Sequence, residues 1–255
     1  MRLALLADLH GNLPALEAVE ADLKREGPVH QVIVLGDLVA FGAFPQETVE
    51  KVRRAGWVAV QGNCDRWFLR DPATDLTSGQ AASPVWAAYR WARARMSEEE
   101  ARWLAELPFR YELRAEEEQK GPAGQRGRGG GPVLATFVHA SPRDIEEGIL
   151  PGRPDEELRP LVAGVQGSLL GVGHTHLQFQ RALDGLLLVN PGSVGRPADG
   201  DPRTAYALLS WEGGRWSVEL RRLPYDVEAA ARALVEREVP GGRRLAELLR
   251  AGRLG

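Results

Sequence analysis

The chain contains a series of short apolar runs that each stop at Gly, Asp, His or Asn, and this pattern limits its fold more than any other feature. Such short runs of aliphatic and β-branched residues predict buried strands. Helical patterns separate the early runs; in one of them Leu16, Val19 and Leu23 share a face behind Pro14. This alternation predicts an α/β domain with parallel strands. The runs cover residues 3–7, 31–35, 58–60, 133–138, 169–172 and 186–189.

The rest of the chain is predicted to complete a single domain over residues 1–255. A Trp-rich stretch, 84–107, has a helical pattern with a capping box at Ser97 and Glu100. Residues 115–132 are charged and Gly-rich without an apolar period, which predicts a flexible surface loop. The QRGRGGG stretch in this loop resembles an RNA-binding tract, but one copy in an acidic protein fits a solvated loop better. We also expect helices at 46–55, 226–239 and 243–250, and a hairpin from segments 206–211 and 216–220.

The charge and the cysteine content exclude several classes of protein. With 32 basic and 35 acidic residues the formal charge is −3, which gives no support for a specific nucleic-acid or anionic-membrane partner. A single cysteine excludes an internal disulfide and fits a reducing compartment. Residues 1–12 become charged too soon for a signal peptide or a membrane span. We therefore expect a cytoplasmic protein without a membrane partner. The sequence is also compatible with a homo-oligomer.

Polar residues that can bind metals follow strand after strand. Ligands of open α/β sheets bind at the carboxyl ends of strands, so these side chains are expected to meet. Each alone has a structural explanation, such as a helix cap or a satisfied core histidine. Together they form a mixed nitrogen and oxygen set that suits Mn, Fe, Zn, Co or Ni better than calcium, and one thiol does not make a structural zinc site. The residues are Asp8, His10, Asp37, Asn63, His139, His174, His176 and Asn190.

Several short motifs, taken in order, resemble those of the calcineurin-like metallophosphoesterases. They are DLHGN (8–12), GD (36–37), GNCD (62–65), HASP (139–142) and GHTH (173–176). NPGSVG (190–195) followed by DGDPRTAYALL is similar to the small bacterial and archaeal phosphodiesterase branch. The resemblance spans nearly the whole chain outside 115–132. It implies an α/β fold, a two-layer mixed β-sandwich flanked by helices, and it puts the C-terminal hairpin in the second sheet.

The resemblance also implies two divalent metal ions, with Mn favoured and Ni, Fe, Zn, Co or Mg possible. Asp37 would bridge them, which agrees with the need for an anion between two cations about 3.5–4 Å apart. Asn63 could instead donate its amide N–H to a phosphate oxygen. Ser193 and Gly195 could donate backbone N–H groups to phosphate, although a tight turn that packs the second sheet explains them better. The implied ligands are Asp8, His10, Asp37 and His176 for the first ion, and Asp37, Asn63, His139 and His174 for the second.

Cys64 departs from the family pattern, because many relatives carry a histidine there. In those enzymes the histidine protonates the leaving group and the residue at Asp65 orients it. Cys64 could be a further metal ligand, a weak proton donor or a small buried filler, and we favour the filler. Arg66, Trp67 and Arg70 could contact a leaving group, although a core role for the tryptophan is favoured.

The predicted activity is metal-dependent hydrolysis of a phosphate ester, most simply a phosphodiester, by in-line attack of a metal-bridging hydroxide. Asp37, Asn63 and His139 are the predicted catalytic residues, and Cys64 and Asp65 are further candidates. The substrate would be a phosphate-ester small molecule or a nucleotide. One alternative is a phosphatase for phosphoproteins, nucleotides or dinucleoside polyphosphates. The other is a metal-binding scaffold without turnover, which predicts lost ligand positions, whereas all are filled here.

Overall fold

The computed structural model describes residues 1–69, 83–115 and 131–254. Within these residues the strands are β1 (Arg2–Leu6), β2 (Gln31–Val34), β3 (Val58–Ala59), β4 (Arg110–Arg114), β5 (Val133–Val138), β6 (Leu169–Gly171), β7 (Phe179–Leu183), β8 (Leu186–Asn190), β9 (Thr204–Glu212) and β10 (Arg215–Leu223). The helices are α1 (Leu13–Glu26), α2 (Pro45–Arg54), α3 (Asn63–Phe68), α4 (Pro84–Arg93), α5 (Glu98–Ala105), α6 (Asp155–Leu161), α7 (Val227–Glu236) and α8 (Gly242–Ala251).

The strands form two five-stranded sheets of mixed direction. The first has the order β10-β9-β1-β2-β3, and the second has the order β4-β5-β6-β8-β7. Parallel pairs lie at the centre of each sheet, β1 with β2 and β5 with β6, and antiparallel strands extend both. The two-layer mixed α/β fold implied by the resemblance is confirmed, and the purely parallel arrangement suggested by the strand–helix alternation is wrong.

The C-terminal hairpin lies in the first sheet, so its expected place in the second sheet is wrong. Strand β9 pairs antiparallel with β1, with Leu3 opposite Leu209 and Leu5 opposite Ala207. Because β9 is buried over its first six residues, it fits inside a sheet between two partners. The sequence pattern predicted the hairpin correctly but contains no local signal for its neighbouring strand.

The period-2 pattern of each central strand distributes its side chains between two apolar cores. Leu3 and Leu5 of β1 face the other sheet, where they pack with Phe137 of β5 and Leu169 of β6. The alternate residues of β1 face α1 and α2 on the outer side of the first sheet, and a third cluster covers the outer side of the second sheet beneath α6. The sheets therefore hold the carboxyl ends of β1, β2, β5 and β6 in fixed positions.

The helix ends follow their capping signals. Asn12 Oδ1 accepts from the backbone N–H of Ala15 at the start of α1. Ser97 and Glu100 form the predicted capping box at the start of α5, in which each side chain accepts from the other's backbone N–H. The helical stretch predicted over residues 84–107 is two helices, α4 and α5, with a break before Ser97.

Four elements were not predicted, namely α3, β4, α6 and β7. Strand β4 has the sequence RYELR, whose charged edge positions conceal the strand pattern. Most of the predicted loop over 115–132 lies outside the described residues, as does Arg70. None of the helices in the described part of the chain combines the length and the hydropathy of a membrane span.

Candidate metal centre

The loops after β1 and β2 are joined by backbone hydrogen bonds. Asp8 N–H donates to Gly36 O at 3.1 Å, and His10 N–H donates to Asp37 O at 2.8 Å. Since β1 and β2 are parallel neighbours, their carboxyl ends lie side by side and bring these two loops together. Both Asp8 and Asp37 are consequently placed at the same edge of the first sheet, and both are almost completely buried.

A left-handed backbone is concentrated at the predicted ligand positions. The φ angles are 56° at Asp8, 47° at His10, 53° at Asp37, 66° at His174 and 58° at His176. Residues other than glycine rarely adopt this conformation, and the strain persists only where the surroundings enforce it. Five of the seven predicted metal ligands carry this strain, which is typical of a functional site.

Gly36 and Gly62 allow the loops after β2 and β3 to touch. A Cβ on Gly62 would lie 2.2 Å from the Asp37 carboxylate, and a Cβ on Gly36 would lie 2.5 Å from the Gly62 nitrogen. Gly36 also has φ +82°. The glycines of the GD and GNCD motifs are therefore required by close packing around Asp37.

The first cluster consists of Asp8, His10, Asp37 and His176, whose ligand atoms all lie within 4.8 Å of one another. The Nε2 atoms of His10 and His176 are 3.2 Å apart. His10 Nε2 is 3.6 Å from Asp37 Oδ2, and His176 Nε2 is 3.7 Å from Asp8 Oδ1. His176 Nδ1 donates to the carbonyl of Arg196, so its Nε2 carries a lone pair toward the cluster.

The second cluster consists of Asp37, Asn63, His139 and His174. His139 Nδ1 donates to Leu35 O at 2.6 Å, which directs Nε2 toward Asn63 Oδ1 at 2.8 Å. His174 Nδ1 lies 2.9 Å from Asn63 Oδ1 and 3.2 Å from His139 Nε2. Asp37 Oδ1 is 3.6 Å from His139 Nε2, so one Asp37 carboxylate faces both clusters.

These distances fit bound metal ions. Ligands at about 2.1 Å from one cation are separated by about 3.0–3.4 Å at octahedral and tetrahedral angles. The ligand–ligand distances in both clusters, 2.8–3.7 Å, lie near this range. The Nε2 atoms of His10 and His176 face each other in the first cluster, and the side chains of Asn63, His139 and His174 do the same in the second, so unshared lone pairs converge in each. The donor set therefore fits two divalent cations.

The electrostatics of the clusters favour the metal-binding forms of the histidines and of Asp37, whereas Asp8 must lose a proton to bind. Burial lowers the pKa of His10 to about 4 and lowers that of His176 well below its usual value, so both imidazoles are neutral at pH 7. Burial opposes ionisation of Asp37, but its interactions with the His139 and His10 imidazoles and the hydrogen bonds from Cys64 outweigh it and lower the pKa of Asp37 to about 2. Burial and the neighbouring Asp37 charge raise the pKa of Asp8 well above its usual value.

Cys64 and Asp65 both lie beside Asp37. The Cys64 backbone N–H donates to Asp37 Oδ1 at 2.8 Å, and its Sγ lies 3.7 Å from Asn63 Nδ2. Burial and the Asp37 charge raise the pKa of the Cys64 thiol, which stays protonated. The Asp65 carboxylate accepts from the backbone N–H groups of Leu38, Val39 and Gly62 and so ties two loops together. Burial, followed by Asp37, raises the pKa of Asp65 to about 7.

Other polar residues singled out in the sequence have structural contacts. Asn190 Nδ2 donates to Gly173 O and to Thr175 Oγ1, so it supports the GHTH loop from behind. In the NPGSVG turn, Ser193 Oγ and the Gly195 N–H both donate to Asp8 O, at 2.8 and 2.9 Å. These donors are engaged by the end of β1, which favours the tight-turn interpretation. The turn thus packs against the first sheet and not the second.

The region proposed for specificity is only partly described. Trp67 Nε1 donates to Glu146 at 2.9 Å, and its ring packs with Trp86 and Tyr89. Arg66 is exposed. Two neighbours of the cluster were missed in the sequence, namely Arg196, which directly follows NPGSVG, and Tyr89 in α4. Their positions depend on the tertiary fold, and only the proximity of Arg196 to the motif gave a signal.

Comparison with known proteins agrees with this geometry. A family model described as the calcineurin-like phosphoesterase superfamily domain matches residues 1–214. An uncharacterised protein of Methanocaldococcus jannaschii is 30% identical over 255 residues, with 93% of each chain covered. A metallophosphoesterase crystal structure from Sphaerobacter thermophilus is 29% identical, with a TM-score of 0.77 over 99% of both chains. A hypothetical protein from Pyrococcus horikoshii shares the fold, with 20% identity and a TM-score of 0.79 over 98% of both chains.

The family match and the buried Asp and His cluster point to the same chemistry. Both support a metal-dependent phosphoesterase. The chain therefore belongs to the calcineurin-like phosphoesterase superfamily.

Proposed function

We propose that the protein is a phosphodiesterase that uses two divalent metal ions, with manganese favoured, to hydrolyse a phosphate ester with water. The observation that carries the proposal is the position of Asp37, whose two oxygens face the two clusters separately. Two cations held close together require a shared anion, and a carboxylate with one oxygen on each side supplies it.

The residues of the chain have distinct tasks in this proposal. Asp8, His10 and His176 complete the first ligand set, and Asn63, His139 and His174 complete the second. The carbonyls of Leu35 and Arg196 hold His139 and His176 in the tautomer with a free Nε2. When bound, the two metals supply an activated water and neutralise the phosphate charge. His174 is only partly buried, so the second set is the side open to substrate.

The preference for diesters follows from the NPGSVG resemblance, and Cys64 bears on which leaving groups are accepted. The thiol is short, buried and protonated, and it lies where a histidine would assist an alcohol leaving group. Without a strong general acid, esters whose leaving groups need no proton are favoured. The mixed nitrogen and oxygen ligands agree with manganese, and nickel, iron, zinc, cobalt and magnesium are the alternatives to test.

A metal and substrate screen tests the proposal. Metal-free protein is loaded separately with Mn, Ni, Mg and Zn, and each form is assayed with bis-p-nitrophenyl phosphate, p-nitrophenyl phosphate and a dinucleoside polyphosphate. We expect the highest kcat/KM with the diester and dependence on two metal equivalents. Faster hydrolysis of the dinucleoside polyphosphate would favour the phosphatase alternative. Absence of turnover with every combination would reject enzymatic activity.

A further inference from the structure

Arg196 lies beside the proposed metal ligands, and among the described residues it has no carboxylate partner. Arg221 and Arg222, whose side chains are 18% and 15% exposed, form ion pairs with Asp22 and Asp199. In the described parts of the chain, no acidic side chain forms an ion pair with the Arg196 guanidinium. A partly buried, unpaired guanidinium is costly, because it loses hydration without gaining an opposite charge.

The Arg196 side chain is held in place from both ends. Its backbone N–H donates to Ser193 Oγ at 2.8 Å, and its carbonyl accepts from the proposed ligand His176. The guanidinium lies over the ring of Phe41, with 4.7 Å between its central carbon and the ring centroid. Arg196 is therefore fixed relative to the first ligand set.

Phe41 is itself held by a strained segment. Ala40 and Phe41 have φ angles of 73° and 66°, and two successive left-handed residues other than glycine are rare. A Cβ on the next residue, Gly42, would lie 1.9 Å from His10 O. The segment therefore passes tightly against the metal loop, and its strain serves to hold the aromatic ring between His10, Tyr89 and Arg196.

The Tyr89 hydroxyl is a second donor near the cluster. Tyr89 is 2% exposed, and among residues 1–69, 83–115 and 131–254 its hydroxyl has no oxygen or nitrogen acceptor, only the weakly accepting Cys64 sulfur beside it. Burial, followed by the neighbouring Cys64, raises the pKa of Tyr89, so the hydroxyl keeps its proton. A buried hydroxyl without an acceptor is unfavourable unless a ligand provides one.

Both donors lie around Cys64 and Asp37. Burial lowers the pKa of Arg196, and interactions with Cys64, Tyr89 and Asp37 oppose that shift. Asp37 is also the proposed bridge between the metals. Among the described residues, a cation without a carboxylate partner and a hydroxyl beside a weakly accepting thiol are thus placed next to the proposed metal ligands.

We propose that the Arg196 guanidinium and the Tyr89 hydroxyl bind an oxygen of the substrate phosphate on the Cys64 side of the metal centre. The inference rests on the phosphoesterase function proposed above, and it names the residues that stabilise charge on the phosphate in a site with a thiol at position 64. Guanidinium groups donate paired N–H groups to phosphate oxygens, and such charged donors strengthen as negative charge develops in the transition state. Arg196 is then a catalytic residue and Phe41 a positioning residue.

The test compares R196M and R196K with wild type, with R237M as the matched control. Arg237 also lies over a phenylalanine ring, that of Phe44 at 4.3 Å, but it is paired with Glu47. The assays are metal content, thermal unfolding, kcat/KM for the nitrophenyl diester, and calorimetric affinity of the metal-loaded protein for inorganic phosphate.

We expect R196M to keep its metal content and fold, to lower kcat/KM by about 10²-fold, and to weaken phosphate binding by at least about tenfold. R196K should fall between R196M and wild type, added guanidinium ion should restore part of the R196M activity, and R237M should match wild type. Y89F should weaken phosphate binding by about fivefold, the value of one neutral hydrogen bond.

Unchanged phosphate affinity in both R196M and R196K would overturn the inference, as would loss of metal from R196M. If the wild-type protein hydrolyses no ester, the proposed function fails, and the phosphate calorimetry still decides the role of Arg196.

Discussion

Two clusters of buried carboxylates differ in what neutralises their charge. Asp22 in α1 is 3% exposed and meets Arg25 at 2.8 Å, Arg221 at 2.9 Å and the Tyr206 hydroxyl at 2.5 Å. Burial raises the pKa of Asp22, but the hydrogen bonds from Tyr206 and Arg25 outweigh it and lower the pKa overall. This carboxylate is therefore compensated by residues of the chain itself.

Asp8, Asp37 and Asp65 lie at the other cluster and are not compensated in this way. All three are at most 2% exposed, and within the described residues none of them forms an ion pair with Lys or Arg. Imidazoles and backbone N–H groups surround them instead, and two of the three have a raised pKa. Burying three acids without cations is strongly unfavourable.

This difference indicates that the Asp37 cluster, unlike the Asp22 cluster, is arranged to bind positive charge from outside the chain. The Asp22 cluster is complete and serves stability, because it connects α1 to β9 and β10. Among the described residues, the carboxyl groups of the Asp37 cluster lack cationic side chains as partners, and bound divalent cations would balance their negative charge. The two clusters should consequently respond to substitution in opposite ways, one through stability and the other through metal binding and turnover.

The largest expected effect is that of Asp37→Asn. Removing the shared anion should weaken at least one metal site and reduce turnover by several orders of magnitude while the fold survives. Metal content by mass spectrometry, kcat with the nitrophenyl diester and circular dichroism measure the three parts. Asp22→Asn is the control, because it removes an equally buried carboxylate and should keep kcat. Near-wild-type activity of Asp37→Asn at saturating metal would contradict the bridging role.

The second expected effect is that of metal removal. Metal-free protein should unfold at lower denaturant concentration, since a ligand at 100 times its Kd stabilises the folded state by about 2.7 kcal/mol. Because burial and the Asp37 charge raise the pKa of Asp8 and so favour its protonated form without metal, cation binding should release a proton from this carboxyl.

Calorimetry in buffers of different ionisation enthalpy measures this proton. Metal affinity should rise with pH wherever the proton is released, and Asp8→Asn should abolish the release. Metal binding without proton release in wild type would show that Asp8 is already ionised in the metal-free state.

The third prediction concerns the compensated cluster. Asp22→Asn should lower the free energy of unfolding by about 1–3 kcal/mol at pH 7, the value of hydrogen bonds to a charged group. The folded-state pKa of Asp22 lies below the unfolded value, so its contribution is present above about pH 4 and is lost as the pH falls through the folded pKa.

Urea unfolding of the wild type and of Asp22→Asn at pH 7 and pH 3 measures whether their free energies of unfolding converge at low pH. Glu228→Gln, which removes an exposed partner of Arg250, should have no measurable effect at either pH. A stability difference that does not depend on pH would mean that Asp22 acts through packing alone.

Much of the fold and of the site around Asp37 could be predicted from the sequence, because local patterns determine the central strands. The aliphatic runs located β1, β2, β5, β6 and β8, and the polar residue after each run placed the site at the correct edge. The seven predicted side chains do converge, although their role as ligands stays a prediction. Charged β4 was missed, and the hairpin of β7 and β8 was missed despite the Asp184-Gly185 turn between them, a strong hairpin signal.

The rest depended on contacts between distant segments. No local pattern says that β9 joins β1, or that Arg221 neutralises Asp22 across 199 positions of sequence. The left-handed backbone at His10 or Phe41 is equally hidden, since neither residue type favours it. The sequence therefore predicted the residues around Asp37 but not their backbone strain. Apart from its position directly after NPGSVG, nothing in the sequence indicated that the Arg196 guanidinium lies near these residues.

The smallest expected effect is that of Cys64→Ala. The Cys64 side chain is 4% exposed and lies between the Asp37 cluster and Tyr89, and its raised pKa keeps it a neutral thiol. Removal should therefore change kcat for an activated nitrophenyl ester less than about threefold, because that leaving group needs no general acid. Alkyl phosphomonoesters should be poor substrates for the wild type, and Cys64→His should improve them selectively.

Steady-state kinetics on both ester types and metal content of each variant check this prediction. The ratio of alkyl to nitrophenyl activity is the informative quantity, since it cancels small effects of packing at position 64. A rise in that ratio for Cys64→His would show that the site accepts a general acid where the thiol now lies. Loss of a metal or of nitrophenyl hydrolysis in Cys64→Ala would instead show that the thiol binds a metal. Cys64 would then count as a ligand and not as a neutral neighbour of Asp37.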